Sequence, residues 1–508
     1  MMSLPHAARV RNSQAIRLDH IPIHPVEEFR EFVIRSLEDG ARLSALYGIP
    51  GSDDTVRLLA VLTNGLNGEI SLTRTDVHES YPAITQNAPQ AHWFEREITE
   101  QCAVKPQGHP WLKPIRFQRK NPSHPDGWQQ NESPSIFPGV TNFFRVEGDE
   151  VHEVAVGPVH AGIIEPGHFR FQCHGENVFH LEISLGYQHR GVERALIGGP
   201  NKKTLSFMET LAGDTTVGHS LAYCQLFEGL ASLTAPPRAQ SLRGIALELE
   251  RLANHVGDLG ALAGDIGFLP TLSYCGRIRG DILNMTAVLC GSRLGRRLVR
   301  PGGVWFDLEP STVTHLISWL DEVMLDLRNA VRLLWNTPSV MARFEETGTV
   351  SKQDCRKLGL VGVAARACGV EQDVRFEFPT GIYRFAQIPV STWHSGDVFA
   401  RAHVRWMEIQ RSAEFMRDQL ENLPKGEIMT PIRTFSPNTL VVSLIEGWRG
   451  EICHIAMTDE NGTFAHYKIV DPSFHNWMGL ALAMRNQQIS DFPLCNKSFN
   501  LSYCGHDL

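Results

Sequence analysis

The sequence has no two cysteines at a metal-binding spacing. It has ten cysteines, and no two of them stand in a Cys-x-x-Cys spacing. The chain therefore offers no evident set of thiolates for an iron–sulfur cluster, and at 508 residues it does not indicate a disulfide framework. Most of these cysteines are expected to behave as small buried hydrophobic residues.

The sequence also has no cluster of positive charge and no long uninterrupted apolar run. The net charge is −8 and no Lys/Arg cluster dominates any stretch, which argues against nucleic acid as a partner. Residues 1–20 contain three arginines but no continuous apolar segment, so a secretory signal is not indicated. The most apolar windows, 244–262 and 313–334, are interrupted by charges and are too polar to span a bilayer. We therefore expect a cytoplasmic protein that reaches a membrane only through partner subunits.

Phosphate-binding loops are absent as well. No Gly-x-Gly-x-x-Gly follows a strand, and no Gly-Lys-Ser/Thr loop occurs. Any NADH that feeds an assembly containing this chain must be bound by another subunit.

The patterning that is present predicts an α+β fold in two parts, with a composition typical of globular proteins at 42% hydrophobic and 20% charged residues. We expect a small α+β domain in front and a mainly helical bundle with small β segments behind it. The predicted ranges are a loose tail over 1–20, the front domain over 21–118, a Pro- and Gly-rich linker over 119–149, and the second domain over 150–508.

Hydrophobic periodicity predicts the individual elements. In the front domain it favours helices over 26–38 and 92–101 and strands over 43–49, 56–63 and 69–73. In the second domain, apolar stripes predict three long helices that include 245–259, 313–334 and 398–420, and these should pack as a bundle. Short β segments are expected near 151–185 and 439–470.

Several short motifs follow one another along the two predicted domains. The second domain carries Gly157-Pro158-Val159-His160, Gly186-Tyr187-Gln188-His189-Arg190-Gly191, Glu248-Leu249-Glu250-Arg251, Arg300-Pro301-Gly302-Gly303 and Asp471-Pro472-Ser473-Phe474, and the front domain carries His92-Trp93-Phe94-Glu95-Arg96. This order resembles the large subunit of membrane-bound, formate hydrogenlyase-type nickel–iron hydrogenases and the related quinone-site (49 kDa) subunit of complex I. The front domain resembles the small 30 kDa subunit of complex I. The resemblance covers residues 25–508 and implies a hydrogenase-large-subunit-like bundle.

The resemblance breaks at the metal ligands. The hydrogenases of this family hold nickel with four cysteines, in an Arg-x-Cys-Gly-x-Cys-x-x-x-His motif and an Asp-Pro-Cys-x-x-Cys motif. In this chain the four positions carry Ala212, Thr215, Ser502 and Gly505, and Cys504 is one place out of register. Soft, redox-active metals need thiolate ligands. The chain is therefore expected to have no nickel–iron centre of its own and no other confidently bound cofactor, with an iron–sulfur cluster in a partner subunit.

A quinone site is implied only in part. The complex I relatives place a loop histidine and a tyrosine at the quinone headgroup. Here His160 and His168 are both candidates for the histidine, and the tyrosine position falls near Gly213.

The residues left in this region predict a polar pocket. His160, His168, Asp214 and His219 are candidate catalytic residues, because histidine beside carboxylate is suited to proton relay. Thr215, Ser502 and His506 are expected to line the same degenerate pocket. The alternative, that these groups only satisfy one another in a site that has lost its cofactor, stays open. No ligand spacing supports a metal ion.

The resemblance implies a subunit of a membrane-associated oxidoreductase on the cytoplasmic face. Its role would be electron transfer from a partner iron–sulfur subunit toward a quinone or another acceptor, coupled to ion translocation by membrane subunits. One alternative is a non-catalytic scaffold subunit, and another is an active hydrogenase with atypical ligands. On one helix face, Glu248, Arg251 and His255 predict either a simple polar stripe or a buried charged network between helices.

Overall fold

A computed structural model describes residues 7–51, 55–117 and 141–508. The fold is α+β, as the sequence predicts, with small antiparallel sheets and a helical bundle. The expected linker over 119–149 lies largely outside the described residues, and its described end, 141–149, is irregular.

The front domain is built on an antiparallel sheet with the strand order β1-β5-β4-β3. The predicted helices and strands all occur, and the third strand runs four residues farther than expected, to Val77. The elements are β1 (Ala8–Val10), β2 (Ala15–Arg17), α1 (Val26–Glu38), β3 (Arg42–Pro50), β4 (Val56–Asn64), β5 (Glu69–Val77), β6 (Ser80–Pro82), α2 (His92–Cys102) and β7 (Lys105–Gln107).

The described part of the expected loose tail is ordered, which corrects that expectation. Strand β1 pairs with β5 in the front sheet, whereas β2 pairs with a strand of the second domain, Thr439–Glu446. Asn12, between the two strands, is buried and donates hydrogen bonds to the carbonyls of Phe378 and Leu444. Three-residue strands are too short to show alternation in the sequence, so only the pairing reveals this strap.

The second domain begins with a three-stranded antiparallel sheet and continues as helices that enclose a second sheet. Its elements are β8 (Val151–Val156), β9 (His168–His174), β10 (Asn177–Ser184), α3 (Val192–Ala195), α4 (Thr204–Met208), α5 (Thr216–Leu230), α6 (Pro237–Asp265), α7 (Leu269–Cys290), β11 (Val299–Arg300), β12 (Gly303–Val304), α8 (Pro310–Trp335), α9 (Pro338–Phe344), α10 (Lys352–Leu358), α11 (Gly362–Ala367), α12 (Val374–Glu377), α13 (Val398–Glu421), β13 (Thr439–Glu446), β14 (Glu451–Thr458), β15 (Phe464–Val470), α14 (Pro472–Ala483), α15 (Phe492–Phe499) and α16 (Tyr503–Asp507).

The three predicted long helices form the bundle as α6, α8 and α13, and α7 packs between α6 and α8. Periodicity does not predict helix α5. Nearly every side chain of α5 is buried, because it lies between α4, the sheet and β11. A helix buried on all sides carries no apolar stripe, which explains why it is not evident from the sequence.

The central sheet has the order β15-β14-β13-β2 and lies against α5. All side chains of β13 and β14 are buried. Helix α5 packs against both strands, and β3 of the front domain contacts the sheet through Ser44–Glu451 and Tyr47–His466. Helix α14 follows directly, and Asp471 caps it by accepting a hydrogen bond from the backbone N–H of Ser473. The sheet thereby presents His454, Tyr467 and Asp471 toward α5 and the C-terminal segment.

The described helices include none with the combined length and apolar character that a bilayer-spanning segment needs.

Candidate functional site

The two altered motifs, which are separated by almost 300 residues of sequence, lie side by side in the structure. The turn between β13 and β14 brings Arg449 between them. Its guanidinium makes a bidentate ion pair with Asp214, at 2.6 and 2.7 Å, and its Nε donates to the carbonyl of Asn500 at 2.5 Å. The Thr215 hydroxyl lies 3.2 Å from Arg449 Nη1. The two motifs therefore meet at one hollow, as the resemblance implies.

A second contact joins the motifs behind Arg449. His219 Nε2 is hydrogen-bonded to Asp471 Oδ2 at 3.1 Å, and both residues are fully buried. A Cβ placed on Gly505 would lie 2.7 Å from the Asp471 carboxyl carbon. The carboxylate thus occupies the space that a side chain at position 505 would need.

A nickel–iron centre does not fit these residues. The Thr215 hydroxyl is held by Trp448 Nε1 at 3.1 Å as well as by Arg449, and Ser502 caps α16 by accepting from the Gly505 N–H at 2.9 Å. Burial raises the pKa of the Cys504 thiol to about 12, so this sulfur stays protonated. Within the described ranges, no three His, Cys, Asp or Glu side chains are arranged to hold a metal ion.

A cavity of about 580 Å³ lies in front of the two motifs. One part of its wall is apolar and another carries amide, cationic and carboxylate groups, so the cavity can receive an organic molecule with a polar head. The apolar wall is formed by Val156, Ile163, Ile164, Phe169, Phe492 and Leu501, and the polar wall includes His160, Asp214, Asp265, Arg449, Asn496, Lys497, Ser502 and Cys504.

Three of the seven predicted site residues line this cavity: His160, Asp214 and Ser502. Thr215 and His219 lie directly behind the wall, where they contact Arg449 and Asp471. Of the two candidate loop histidines, only His160 faces the cavity, and its Nε2 is hydrogen-bonded to the Gly167 carbonyl at 2.9 Å.

The two remaining predicted residues, His168 and His506, neither line the cavity nor contact Arg449 or Asp471. His168 is directed to the Gly157 carbonyl and to Arg170, and its ring packs near Phe143. His506 is fully buried, packs on Phe474 and is hydrogen-bonded to Asp507 at 3.1 Å. Its place on α16 turns the side chain inward, so the prediction that it lines the pocket was wrong.

Arg449 controls the charge state of Asp214 in the cavity wall. Burial alone would raise the pKa of Asp214, but the Arg449 charge and hydrogen bonds outweigh it and hold that pKa below its usual value. At Asp265 the net shift has the opposite sign. Partial burial outweighs the nearby Lys497 and raises the pKa of Asp265 to about 6. The wall therefore combines a carboxylate that stays ionised with one that titrates closer to neutrality.

Sequence reasoning missed Arg449, His454 and Tyr467 as parts of this region. Gly447, Trp448 and Gly450 around Arg449 signal a tight turn, which could have identified it as a turn residue that projects a side chain. His454 and Tyr467 sit within apolar strand runs. Without the pairing of β14 with β15 nothing indicates that they meet.

Behind the cavity, the charged residues of α6 belong to a buried network rather than to a simple polar stripe. Glu248 accepts hydrogen bonds from Arg251, Arg375, Tyr383 and Ser412. Its pKa falls to about 2, because the two arginines outweigh the effect of burial. His255 and Arg366 share Glu408 at 2.8 Å each. These ion pairs connect α6, α11, α12 and α13 and hold the bundle in one arrangement.

Comparison with known proteins adds the family. Residues 265–439 match the family model of the respiratory-chain NADH dehydrogenase 49 kDa subunit, and residues 26–131 match that of the 30 kDa subunit. The carbon monoxide-induced hydrogenase of Rhodospirillum rubrum is 30% identical over 69% of this chain and 97% of its own length. Formate hydrogenlyase subunit 5 of Escherichia coli is 28% identical over 83% of this chain and 76% of its own. An NADH-quinone oxidoreductase subunit of Dehalococcoides mccartyi is 30% identical over 66% of this chain and 92% of its own.

The motif order and the matched ranges agree, and the two family models match successive parts of the chain. The chain therefore belongs to the oxidoreductase family of the complex I 49 kDa subunit and the large subunits of membrane-bound hydrogenases, in a form that carries a complex I 30 kDa domain in front.

Proposed function

We propose that this chain shapes an acceptor cavity in a membrane-associated oxidoreductase related to complex I and to the hydrogenases among its relatives, and that it works without a nickel–iron centre. The observation that carries the proposal is the replacement of all four cysteine positions, together with an Arg449–Asp214 pair that fills the space between them. Electrons would come from an iron–sulfur cluster in a partner subunit on the cytoplasmic face. Membrane partners would couple the transfer to ion translocation.

A quinone fits the cavity by size and by the division of its wall. Bound there, it would supply a two-electron, two-proton acceptor. The side chains of Ile163, Ile164 and Phe169 would exclude water from the apolar side. Arg449 and Lys497 place positive charge where negative charge develops during reduction.

Asp214 has a positioning role in this proposal. Its carboxylate accepts two hydrogen bonds from Arg449 and so orients the guanidinium toward the cavity. Because its pKa is held low, Asp214 is a poor proton donor near neutral pH. His160, whose ring faces the cavity, is the group placed to bind the acceptor.

The test is purification of the intact assembly, with a metal inventory and a turnover assay from reduced methyl viologen to ubiquinone-1. We expect iron and acid-labile sulfide from the partner, less than about a tenth of a nickel atom per chain, and quinone reduction. Asp214→Asn should lower kcat at least about tenfold, because the orientation of Arg449 is lost. Asp281→Asn, at a surface ion pair on α7, is the matched control and should leave kcat unchanged.

Stoichiometric nickel would instead identify an active hydrogenase with atypical ligands. An assembly that transfers no electrons to any quinone, or one in which Asp214→Asn turns over normally, would favour the scaffold alternative.

A further inference from the structure

A continuous chain of hydrogen bonds runs from the back of the cavity into the central sheet. Asp471 Oδ2 is 3.1 Å from His219 Nε2, His219 Nδ1 is 3.0 Å from His454 Nε2, and His454 Nδ1 is 2.9 Å from the Tyr467 hydroxyl. All four side chains are 1% exposed or less. The chain uses both nitrogens of both imidazole rings, which no surface histidine pair in water would need to do.

When both imidazole rings are neutral and Asp471 is ionised, only one arrangement of protons satisfies every contact. A carboxylate can only accept, so His219 must carry its proton on Nε2 and accept at Nδ1. His454 must then donate from Nε2 and accept at Nδ1, where the Tyr467 hydroxyl donates. Burial, followed by the charge of His219, keeps the pKa of His454 well below its usual value, in agreement with a neutral ring.

The same atoms also satisfy a state with one more proton. His219 then carries protons on both nitrogens and donates to Asp471 and to His454 Nε2. His454 carries its proton on Nδ1 and donates to the Tyr467 oxygen, which now accepts. In total two N–H bonds form, on His219 Nδ1 and His454 Nδ1, and one breaks, on His454 Nε2, so one proton is added.

The hydroxyl of Tyr467 makes this change possible, because a hydroxyl can donate in one state and accept in the other. A backbone carbonyl or an N–H group at this place would allow only one of the two arrangements. The burial that raises the pKa of Tyr467 well above its usual value keeps its proton in place in both states.

We propose that these four hydrogen-bonded side chains, called the His219–His454 relay, store one proton behind the cavity. The store empties by the reverse of these changes: the N–H bonds on His219 Nδ1 and His454 Nδ1 break, the N–H bond on His454 Nε2 forms again, and one proton leaves. Asp471, whose carboxyl group lies against Gly505, stays ionised throughout. The inference rests on the proposed function, because reduction of the acceptor needs protons and Asp214 is held ionised. It deepens that function by assigning positioning roles to His454 and Tyr467.

Within the described part of the chain, His475 also lies near Asp471. Arg449 and Asp214 lie on the cavity side of Asp471, and hydrogen bonds from His219 and the Arg449 charge outweigh burial to hold the pKa of Asp471 low. Around Tyr467 the titratable groups are Tyr223, Cys224 and Cys453. The thiol pKa values of Cys224 and Cys453 are raised by burial, so both stay neutral while the relay gains or loses a proton.

The experiment is infrared difference spectroscopy of the assembled complex between pH 5 and 8, with ring-¹⁵N-labelled histidine to identify imidazole and imidazolium bands. Tyr467→Phe leaves the His454 Nδ1–H without an acceptor in the filled state. We expect it to lower the proton affinity of the relay about tenfold, a downward shift of about one pH unit. Tyr47→Phe is the matched control, because it removes a buried hydroxyl that has no hydrogen-bond partner among the described residues; its titration should match the wild type.

His454→Gln is a second variant, since an amide keeps the hydrogen bond to His219 but cannot change tautomer. It should abolish the titration of one imidazole among the 22 histidines of the chain. A Tyr467→Phe or His454→Gln complex that titrates like the wild type would overturn the proposal. The readout is ring protonation, so it is independent of quinone turnover and separates failure of the relay from failure of the proposed function.

Discussion

Arg449 and Asp214 form the ion pair nearest to the cavity, and their environments differ. The Arg449 side chain is 5% exposed, whereas that of Asp214 is 36% exposed. Removing the buried partner leaves a carboxylate that water can still reach, so the stability cost is smaller than for a fully buried pair. The loss of orientation at the cavity is the more important effect, because three nitrogen atoms of the Arg449 guanidinium each make a different contact.

Arg449→Lys tests that geometry with the charge retained. A lysine cannot reproduce the planar fork that spans Asp214 and the Asn500 carbonyl. We expect a loss of stability of about 1–2 kcal/mol and a fall in kcat of at least about tenfold, measured by thermal unfolding and by quinone reduction. Arg417→Lys, at a surface pair with Asp321, should change neither.

Glu377 gives a pH-dependent prediction. Burial, together with the neighbouring carboxylates, outweighs Arg42 and raises its pKa from 4.5 to about 7. A carboxyl whose folded pKa is raised destabilises the fold as pH rises from about 4.5 to 7, and by about 3 kcal/mol above that range. Glu377→Gln should therefore stabilise the chain at pH 8 and have no effect below pH 4.5, since Arg42 keeps Glu451 at 2.7 Å. Denaturant unfolding at both pH values measures it, and the exposed Glu371→Gln is the control.

Among the elements, the short strap of β1 and β2 joins two sheets that belong to different domains. Its anchor is the Asn12 side chain, which donates two hydrogen bonds and accepts one from the Leu444 N–H at 2.8 Å. All three lie in the interior, where unsatisfied groups are costly.

Asn12→Ala should destabilise the chain by about 2–4 kcal/mol, because the Leu444 N–H and two carbonyls lose their partner. Denaturant unfolding of the full chain is the measurement. Arg17→Ala, in an exposed ion pair on the same strap, should stay within about 0.5 kcal/mol of the wild type. Equal effects of the two variants would contradict the anchoring role.

Helix α16 allows a comparison between two glycines of the altered motifs. A methyl group at position 505 meets the Asp471 carboxylate, whereas one at position 213 has nothing within 4 Å. Gly505→Ala should cost about 1–3 kcal/mol and displace Asp471 from His219, while Gly213→Ala should be neutral in thermal unfolding. A neutral Gly505→Ala would mean that the C-terminal helix can move away from the carboxylate.

At the scale of the whole molecule, the front domain and the body share buried charges. Lys468 of β15 lies 2.7 Å from Glu97 of α2 and 3.0 Å from Glu193, and its side chain is 2% exposed. Arg116 also contacts Glu97, and Trp93 and Phe94 of α2 pack near Phe474 of α14. Charges buried across a contact area require that both sides fold together.

Lys468→Met should therefore destabilise the chain by about 3–5 kcal/mol, because Glu193 and Glu97 lose their shared cation. Scanning calorimetry should show the single transition of the wild type separating into two, with the front domain melting first. Lys425→Met, at an exposed position, is the control. A single, unshifted transition in the Lys468 variant would show that the two domains are not coupled through this contact.

Much of the fold could be predicted because its signals are local. The helix over 26–38, the strands of the front sheet and the stripes of α6, α8 and α13 follow from periodicities of two and 3.6 residues. The strap, the all-buried α5 and the inward turn of His506 could not be predicted in this way. Each depends on which distant segment of the chain packs against it, and the residues nearby in sequence do not indicate that segment.

The candidate site divides along the same line. From residue identity alone, the sequence determined the α+β order of the chain and the absence of thiolates at four positions, because these are properties of single residues and short windows. Only the tertiary structure decided that Arg449 fills the space between the motifs and that His219 joins Asp471 to His454 and Tyr467. Asp214 and Arg449 are 235 residues apart, and contacts over such separations depend on sheet register and helix packing rather than on any local pattern.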